Sequence, residues 1–337
     1  MRYQAALLVL LISCTQRTRD PVTIIWETDK AVSISVTDSV EVHLKNSQYP
    51  VLGELSIDGN RYIFTPQIPF QRGETYLVIS KTDTLSFTVP PDTTQTTPRL
   101  LATYPSCDTV PSNLLKVYLQ FSEPMQEYRS SQFVRLFDDV TGDTVTNAFL
   151  DLQPELWNDD GTVLTLWIDP GRVKQDLIPN RSLGAVLTNN HGYRLEVSKG
   201  WKSKKGSALT DTYSKRFVTS GRDVSKPHID QWTIEASNDT VVVNVKETLD
   251  WMLLLQSISI RTGDQQQESK TFSEVCERQL IIVPVTPLRS GTHTLMIEAL
   301  LEDPAGNNLN RLFETDVTGQ SNKSVSKDIY ALTFNVN

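Results

Sequence analysis

The chain has few of the residues from which catalytic, metal and disulfide sites are usually built. Its 337 residues include only three cysteines and four histidines, too little material for a zinc site or a disulfide scaffold. A basic excess is missing too. Forty acidic against 32 basic residues give a net charge of −8, whereas a nucleic-acid surface needs a concentrated basic field to displace counterions, so no nucleic-acid partner is expected. No stretch reaches the ~18 consecutive apolar residues of a membrane-spanning helix. His43, His191, His228 and His293 are solitary, with no pair at helical ligand spacing. Walker A, GxGxxG, HExxH, GxSxG and CxxC motifs are all absent, so phosphate cradling, zinc hydrolysis and thiol chemistry lack their usual arrangements. No cofactor, no metal and no catalytic residue is expected. What remains is 39% hydrophobic and 21% charged, a composition that folds.

The first fourteen residues carry an address. Arg2 supplies a positive start, and Ala5 to Ile12 is an unbroken apolar run. As a helix that run rises only ~12 Å, against a hydrocarbon core of ~30 Å, so it reads as the apolar core of a cleaved signal peptide rather than as an anchor. Leu11-Ile12-Ser13-Cys14 then resembles the bacterial lipobox. The resemblance implies a signal peptide over 1–13, diacylation of the Cys14 sulfur, and a lipidated tether over 14–20. The competing reading is an ordinary secretory signal with an incidental cysteine. A lipid anchor would make the membrane the chain's first partner, with an exported location in the cell envelope, at the outer membrane. Several acyl chains at ~0.8 kcal/mol per buried methylene make such attachment effectively permanent. Cys107 and Cys276, far apart in sequence, are expected to be packed free thiols, although export permits a bridge.

After residue 20 almost everything reads as strand. Val32 to Val36, Val40 to Leu44 and Val241 to Val245 alternate with period two or are β-branched at their apolar positions, and turn residues interrupt such runs about every ten residues. The expected fold class is all-β, tandem antiparallel sandwiches. No window carries a helical stripe; Leu249 to Gln256 is expected to form one turn. Pro90 to Pro98 contains no apolar residue except proline and reads as a stiff linker; Ser220 to Pro227 is a shorter break. The chain therefore divides into a small sandwich-like unit at 21–90, a linker at 91–98, and larger units at 99–220 and 221–337.

These units repeat internally. Phe121-Ser122-Glu123-Pro124-Met125 aligns with Val245-Lys246-Glu247-Thr248-Leu249, and Trp201 to Leu209 aligns with Leu301 to Leu309, sharing Gly206 and Gly306. The first unit keeps a back half, Arg61 to Pro66 and Phe70 to Ile79, matching Leu280 to Pro284 and Leu288 to Ile297. The Phe-Ser-Glu-Pro-Met segment and the closing Gly-Thr-x-Thr-Leu strand before Asp303-Pro304-Ala305-Gly306-Asn307 resemble bacterial Ig-like domains of the S-layer SbsA type. With the lipobox, the chain resembles a Bacteroidota-like envelope lipoprotein built from them. The resemblance implies a structural or interaction module and no reaction.

Candidate sites are few. Asp138 to Asp143 and Asn158 to Gly161 could offer oxygen ligands to calcium, but Asx and Gly between β-branched runs are hairpin-turn chemistry. The second unit carries 24 residues more than the third between its matching Glu and Gly. In and beside that insertion Trp157, Trp167, Arg172 and Lys174 are candidate ligand anchors; a core role for either tryptophan and pairing of Arg172 with Asp169 or Asp176 compete with this. Asp-Ser/Thr triplets at Ser39, Thr84, Thr93, Thr109, Thr144 and Thr240 resemble the O-glycosylation acceptor of Bacteroidota. Glu123 and Glu247 hold equivalent repeat positions and are expected to cap turns by accepting backbone N–H bonds, each within its own domain.

These features together lead to a non-enzymatic, membrane-anchored envelope module for structure, adhesion or scaffolding, with an envelope protein or glycan as its unknown partner. The alternative is a glycan- or peptide-binding accessory lipoprotein using residues 157–193. The first expected outcome follows from the anchor. Cys14→Ala should abolish lipid attachment and leave an uncleaved or soluble exported form; metabolic labelling with a fatty acid at the wild-type level would exclude the lipobox.

Overall fold

The computed structural model describes residues 22–314 and 327–337, apart from 82, 93–95 and 176. Cys14, Thr93 and the expected signal peptide over 1–13 lie outside the described residues. Two compact units result, one up to residue 95 and one from Thr96 onward.

The first unit has seven strands: β1 (Val22–Glu27), β2 (Lys30–Val36), β3 (Val40–Leu44), β4 (Gly53–Asp58), β5 (Arg61–Pro66), β6 (Thr75–Ser80) and β7 (Thr84–Thr88). They form a four-stranded sheet, β1-β2-β5-β4, and a three-stranded sheet, β3-β6-β7. Period-two alternation sends Ile34, Val36 and Phe64 inward from one sheet and Val42, Tyr76, Val78 and Phe87 from the other. Phe70 joins Tyr76 and Phe87 edge-on, with ring centroids 4.8 and 5.3 Å away. Gly53 at the start of β4 is required by close approach: a Cβ there would lie 2.5 Å from the Phe64 ring. This unit closes a core of its own despite its size.

The second unit holds two sandwiches. The first of them comprises β8 (Leu100–Tyr104), β9 (Thr109–Pro111), β10 (Lys116–Phe121), α1 (Ser130–Phe133), β11 (Val134–Asp138), β12 (Leu156–Trp157), β13 (Val163–Trp167), α2 (Pro170–Val173), α3 (Ile178–Leu183), β14 (Gly192–Val197) and β15 (Tyr213–Ser220). Its sheets are ordered β12-β13-β10-β8 and β11-β14-β15-β9. All pairings are antiparallel except β9 with β15, which is parallel and departs from the purely antiparallel expectation. Its other sandwich comprises β16 (Thr233–Ala236), β17 (Val241–Asn244), α4 (Trp251–Gln256), β18 (Ile258–Thr262), β19 (Gln265–Gln267), β20 (Ser269–Ser273), β21 (Gln279–Pro284), β22 (Gly291–Glu298) and β23 (Ile329–Val336). Sheets β16-β17-β21-β20 and β19-β18-β22-β23 enclose its core. The chain is thus all-β, built of tandem Ig-like sandwiches, and α4 is the single helical turn expected near Leu249 to Gln256.

The sequence repeat is a structural repeat. Phe121 and Met125 are buried in one sandwich as Val245 and Leu249 are in the other. Lys202 bridges Ala208 just as Glu302 bridges Asn308. Gly206 donates to Ser203 O and Gly306 to Asp303 O, both at about 3 Å (2.9 and 3.0 Å). Fully buried Trp201 donates through Nε1 to Gln126 O at 2.9 Å and stacks on Phe133. Asp138 and Asn158 build turns: Asp138 Oδ1 accepts from Val140 N and Thr141 N, and Asn158 Oδ1 from Thr162 N and Val163 N.

Candidate functional site: a joint between two sandwiches

Strand β10 sorts its side chains by parity. Val117, Leu119 and Phe121 enter the core of their own sandwich. Lys116 and Tyr118 face the other way, onto the following sandwich. There the Tyr118 hydroxyl donates to the Asp250 carboxylate, 2.8 Å from each oxygen. Lys116 Nζ lies 3.2 Å from Asp250 Oδ2 and 2.8 Å from Glu302 Oε2. Asp250 also caps α4, its Oδ1 accepting from Leu253 N at 3.0 Å. The next residue, Trp251, stacks on Tyr104 of β8 with centroids 4.0 Å apart and planes within 6°. Tyr118, Val163 and Trp251 form a small apolar cluster of their own here.

Burial first, then the Asp250 charge, pushes the Tyr118 phenol far above its ordinary value, so it stays protonated and donates. Burial alone would lower Lys116, but Asp250 and Glu302 outweigh it and its pKa ends raised. A buried pair of this kind adds little net stability compared with an apolar replacement, but losing one partner strands a charge. Such a network fixes geometry.

A second attachment lies alongside. Cys107 and Cys276 are disulfide-bonded, with Cα atoms 4.5 Å apart; the expectation of two free thiols is corrected. Sequence separation did not forbid the bridge, because two loops lie side by side. Cys276 N donates to Ser106 Oγ at 2.7 Å, and Ser106 N donates to both Glu277 oxygens at 3.1 Å. Glu277 is fully buried, and burial raises its pKa against the pull of the Ser106 bonds and Lys215.

The third attachment is the loop Asp303 to Asn307. Pro304 O accepts from Leu115 N at 2.9 Å. Gly306 has φ +81°, and a Cβ there would lie 2.2 Å from Leu115 Cδ1, so glycine is required both for the backbone and for the approach of the neighbouring sandwich. Asp303 Oδ1 accepts from Ala305 N and Asn307 N, and its Oδ2 from Asn307 Nδ2. Burial nevertheless pushes Asp303 up to about 7, and the Asp223 charge adds to it.

The nominated anchor residues turn inward. Arg172 is buried and gives its guanidinium to the carbonyls of Gly184, Thr146, Asn147 and Ala185. It pins the insertion from within; of the two acidic partners considered, Asp169 instead caps Gly171 N and Asp176 lies outside the described residues. Trp157 bonds Glu155 through Nε1 at 2.9 Å and packs on Phe121 and Trp201. Trp167 lies under Lys116 Nζ, 5.1 Å from its ring. Lys174 Nζ sits 4.2 Å from the ring of Phe313. Beside it Glu314 pairs with Arg222 and accepts from Gln175 N. The insertion therefore reaches the following sandwich and braces the joint.

Of the hydroxyls in Asp-Ser/Thr triplets, Ser39, Thr84, Thr109 and Thr144 are exposed and Thr240 is half-buried. Glu247 accepts from His228 N at 2.8 Å, within its own sandwich. Glu123 differs from the expected cap: its described donors are the side chains of Thr96 and Lys205. Sequence reasoning gave no role to Tyr118, Asp250, Glu277 or Glu302. The one available signal was the alternation of Lys116, Tyr118 and Gln120 with apolar Val117, Leu119 and Phe121 along one strand.

No family model and no curated protein matches the chain. Among solved structures, the FN1–FN3 domains of chicken CNTN1 align at 12% identity over 85% of this chain and 93% of theirs, with a TM-score of 0.20. The titin fragment I67–I69 aligns at 11% over 90% and 91%, TM-score 0.18. The S-layer protein fragment rSbsC(31–844) aligns at 10% over 94% and 54%, TM-score 0.18. The fold assignment stands on the strands and sheets described above.

Asp303 makes the joint pH-sensitive in a defined direction. Its folded pKa, about 7, lies above the ordinary 3.8. The unfolded chain therefore loses this proton first as pH rises, and stability falls with a limiting slope of about 1.4 kcal/mol per pH unit between those values. Urea unfolding of Asp303→Asn across pH 4 to 8 should lack this downward component; a wild-type profile in the variant would contradict the assignment.

Proposed function

We propose that the chain is a lipid-anchored, non-enzymatic protein of the cell envelope whose two larger sandwiches serve as a rigid scaffold or spacer module. The joint carries this reading. Ig-like units that only need connecting can be strung on flexible linkers, and relative motion is then the default. Here a disulfide, a buried carboxylate network, a close-packed glycine loop and a braced insertion all act on one boundary. Such fixation suits a part whose task is to hold surfaces at a set distance and angle.

The disulfide supports export, because such bonds persist in oxidising compartments and are rare where thiols are kept reduced. No helix among the described residues is long and apolar enough to cross a membrane, so attachment through Cys14 remains the proposed link. The inward turn of Arg172, Trp157 and Lys174 is the reason a ligand site over 157–193 is not the preferred reading.

Rigidity is measurable by placing spin labels at exposed Thr141 and Asp264, one on each sandwich. Electron–electron resonance should give one narrow distance distribution. A broad distribution spanning tens of ångströms would mean a hinge and would sink the spacer reading.

A further inference from the structure

Strand β4 is the outermost strand of its sheet, and it pairs with β5 along all six residues without a register shift. Register places Leu55 opposite Phe64 and Ile57 opposite Tyr62; Phe64 and Tyr62 in turn lie opposite Ile34 and Val36. Opposed residues share a face. The apolar face that forms the core under β2 and β5 therefore continues onto β4. The facing sheet has only three strands, and Leu55 and Ile57 remain 52% and 71% exposed. Leu52 and Tyr49, just before the strand, are 71% and 81% exposed.

Natural sheets blunt such edges with bulges, proline or charged side chains, lysine above all. The opposite edge, β1, has a register shift between Ile25 and Trp26. Strand β4, Gly53-Glu54-Leu55-Ser56-Ile57-Asp58, has no bulge, proline or lysine, and its only charges, Glu54 and Asp58, are acidic. It presents unpaired backbone groups beside two exposed aliphatic side chains.

Charge selects the occupant. Glu54 and Asp58 occupy the other face of β4, and neither forms an ion pair with a described residue. Residues 22–92 hold nine Asp and Glu against five Lys and Arg, a net charge of −4. Pairing β4 with β4 of a second copy would gather four carboxylates on one face. We propose that β4 is the docking edge for an extended segment of another protein in which apolar residues alternate with lysine or arginine. Backbone bonds would add it as a fifth strand, its apolar side chains beside Leu55 and Ile57 and its cations beside Glu54 and Asp58. The proposal goes beyond the spacer reading: it gives the small first unit a partner and names that partner's chemistry.

The test uses the full mature chain, unlipidated through Cys14→Ser, and the probe peptide acetyl-(Val-Lys)4-amide. Calorimetric titration should show binding, and hydrogen exchange should show new protection over residues 53–58. Acetyl-(Val-Glu)4-amide should bind at least tenfold more weakly. Leu55→Lys/Ile57→Lys, changed at exposed positions, should weaken the Val-Lys peptide at least tenfold while the thermal midpoint holds. Absence of binding, equal affinity for the two peptides, or undiminished binding by the variant would overturn the proposal. So would dimerisation, or binding to phosphatidylglycerol vesicles, that the double substitution abolishes, since the occupant would then be a second copy or a membrane. The spin-label distance between Thr141 and Asp264 is independent of β4, so failure here leaves the spacer reading separately judged.

Discussion

The carboxylate of Asp250 accepts from a tyrosine and a lysine of one sandwich while capping the helix that begins the other's α4 turn. Three demands meet on one buried group. An unpaired charge at that depth costs several kcal/mol, so the sandwiches can neither rotate nor slide without stranding it. Trp251 opens the capped turn, and its stacking on Tyr104 depends on the same placement. The carboxylate thus converts a loose boundary between two all-β units into a single geometry.

The other attachments act on different parts of the free energy. The disulfide closes 169 residues of chain, which in the chain-entropy picture disfavours the unfolded state by ~5 kcal/mol without dictating an angle. The Gly306 loop contributes shape, since its backbone meets Leu115 where a Cβ would overlap it. The insertion contributes reach: Arg172 stiffens it internally, and Lys174 and Gln175 meet the segment around Phe313 and Glu314. Connectivity, orientation and packing are supplied by separate devices.

Much of the fold was legible because period-two alternation reports burial directly. β2, β3 and β17 follow from their apolar spacing, and the turns at Asp138 and Asn158 from Asx chemistry. The repeat predicted equivalent loops at Gly206 and Gly306. The joint was not legible. Lys116, Tyr118 and Asp250 look like ordinary exposed positions of a strand and a loop until a second sandwich packs onto them, and pairing between residues over a hundred positions apart leaves no local trace. The same blindness explains Arg172 and the cysteines: an arginine after a Pro-Gly turn looks available until carbonyls from two segments converge on it.

The coupling between the sandwiches is tested most directly by native-state hydrogen exchange on the mature chain bearing Asp250→Ala, a change made wholly in the later sandwich. The account predicts that slowly exchanging core amides of β10 and β13 in the preceding sandwich lose protection along with those of β17 and β21, because the two share one cooperative opening. Loss confined to β17 and β21, with β10 and β13 exchanging at wild-type rates, would contradict it.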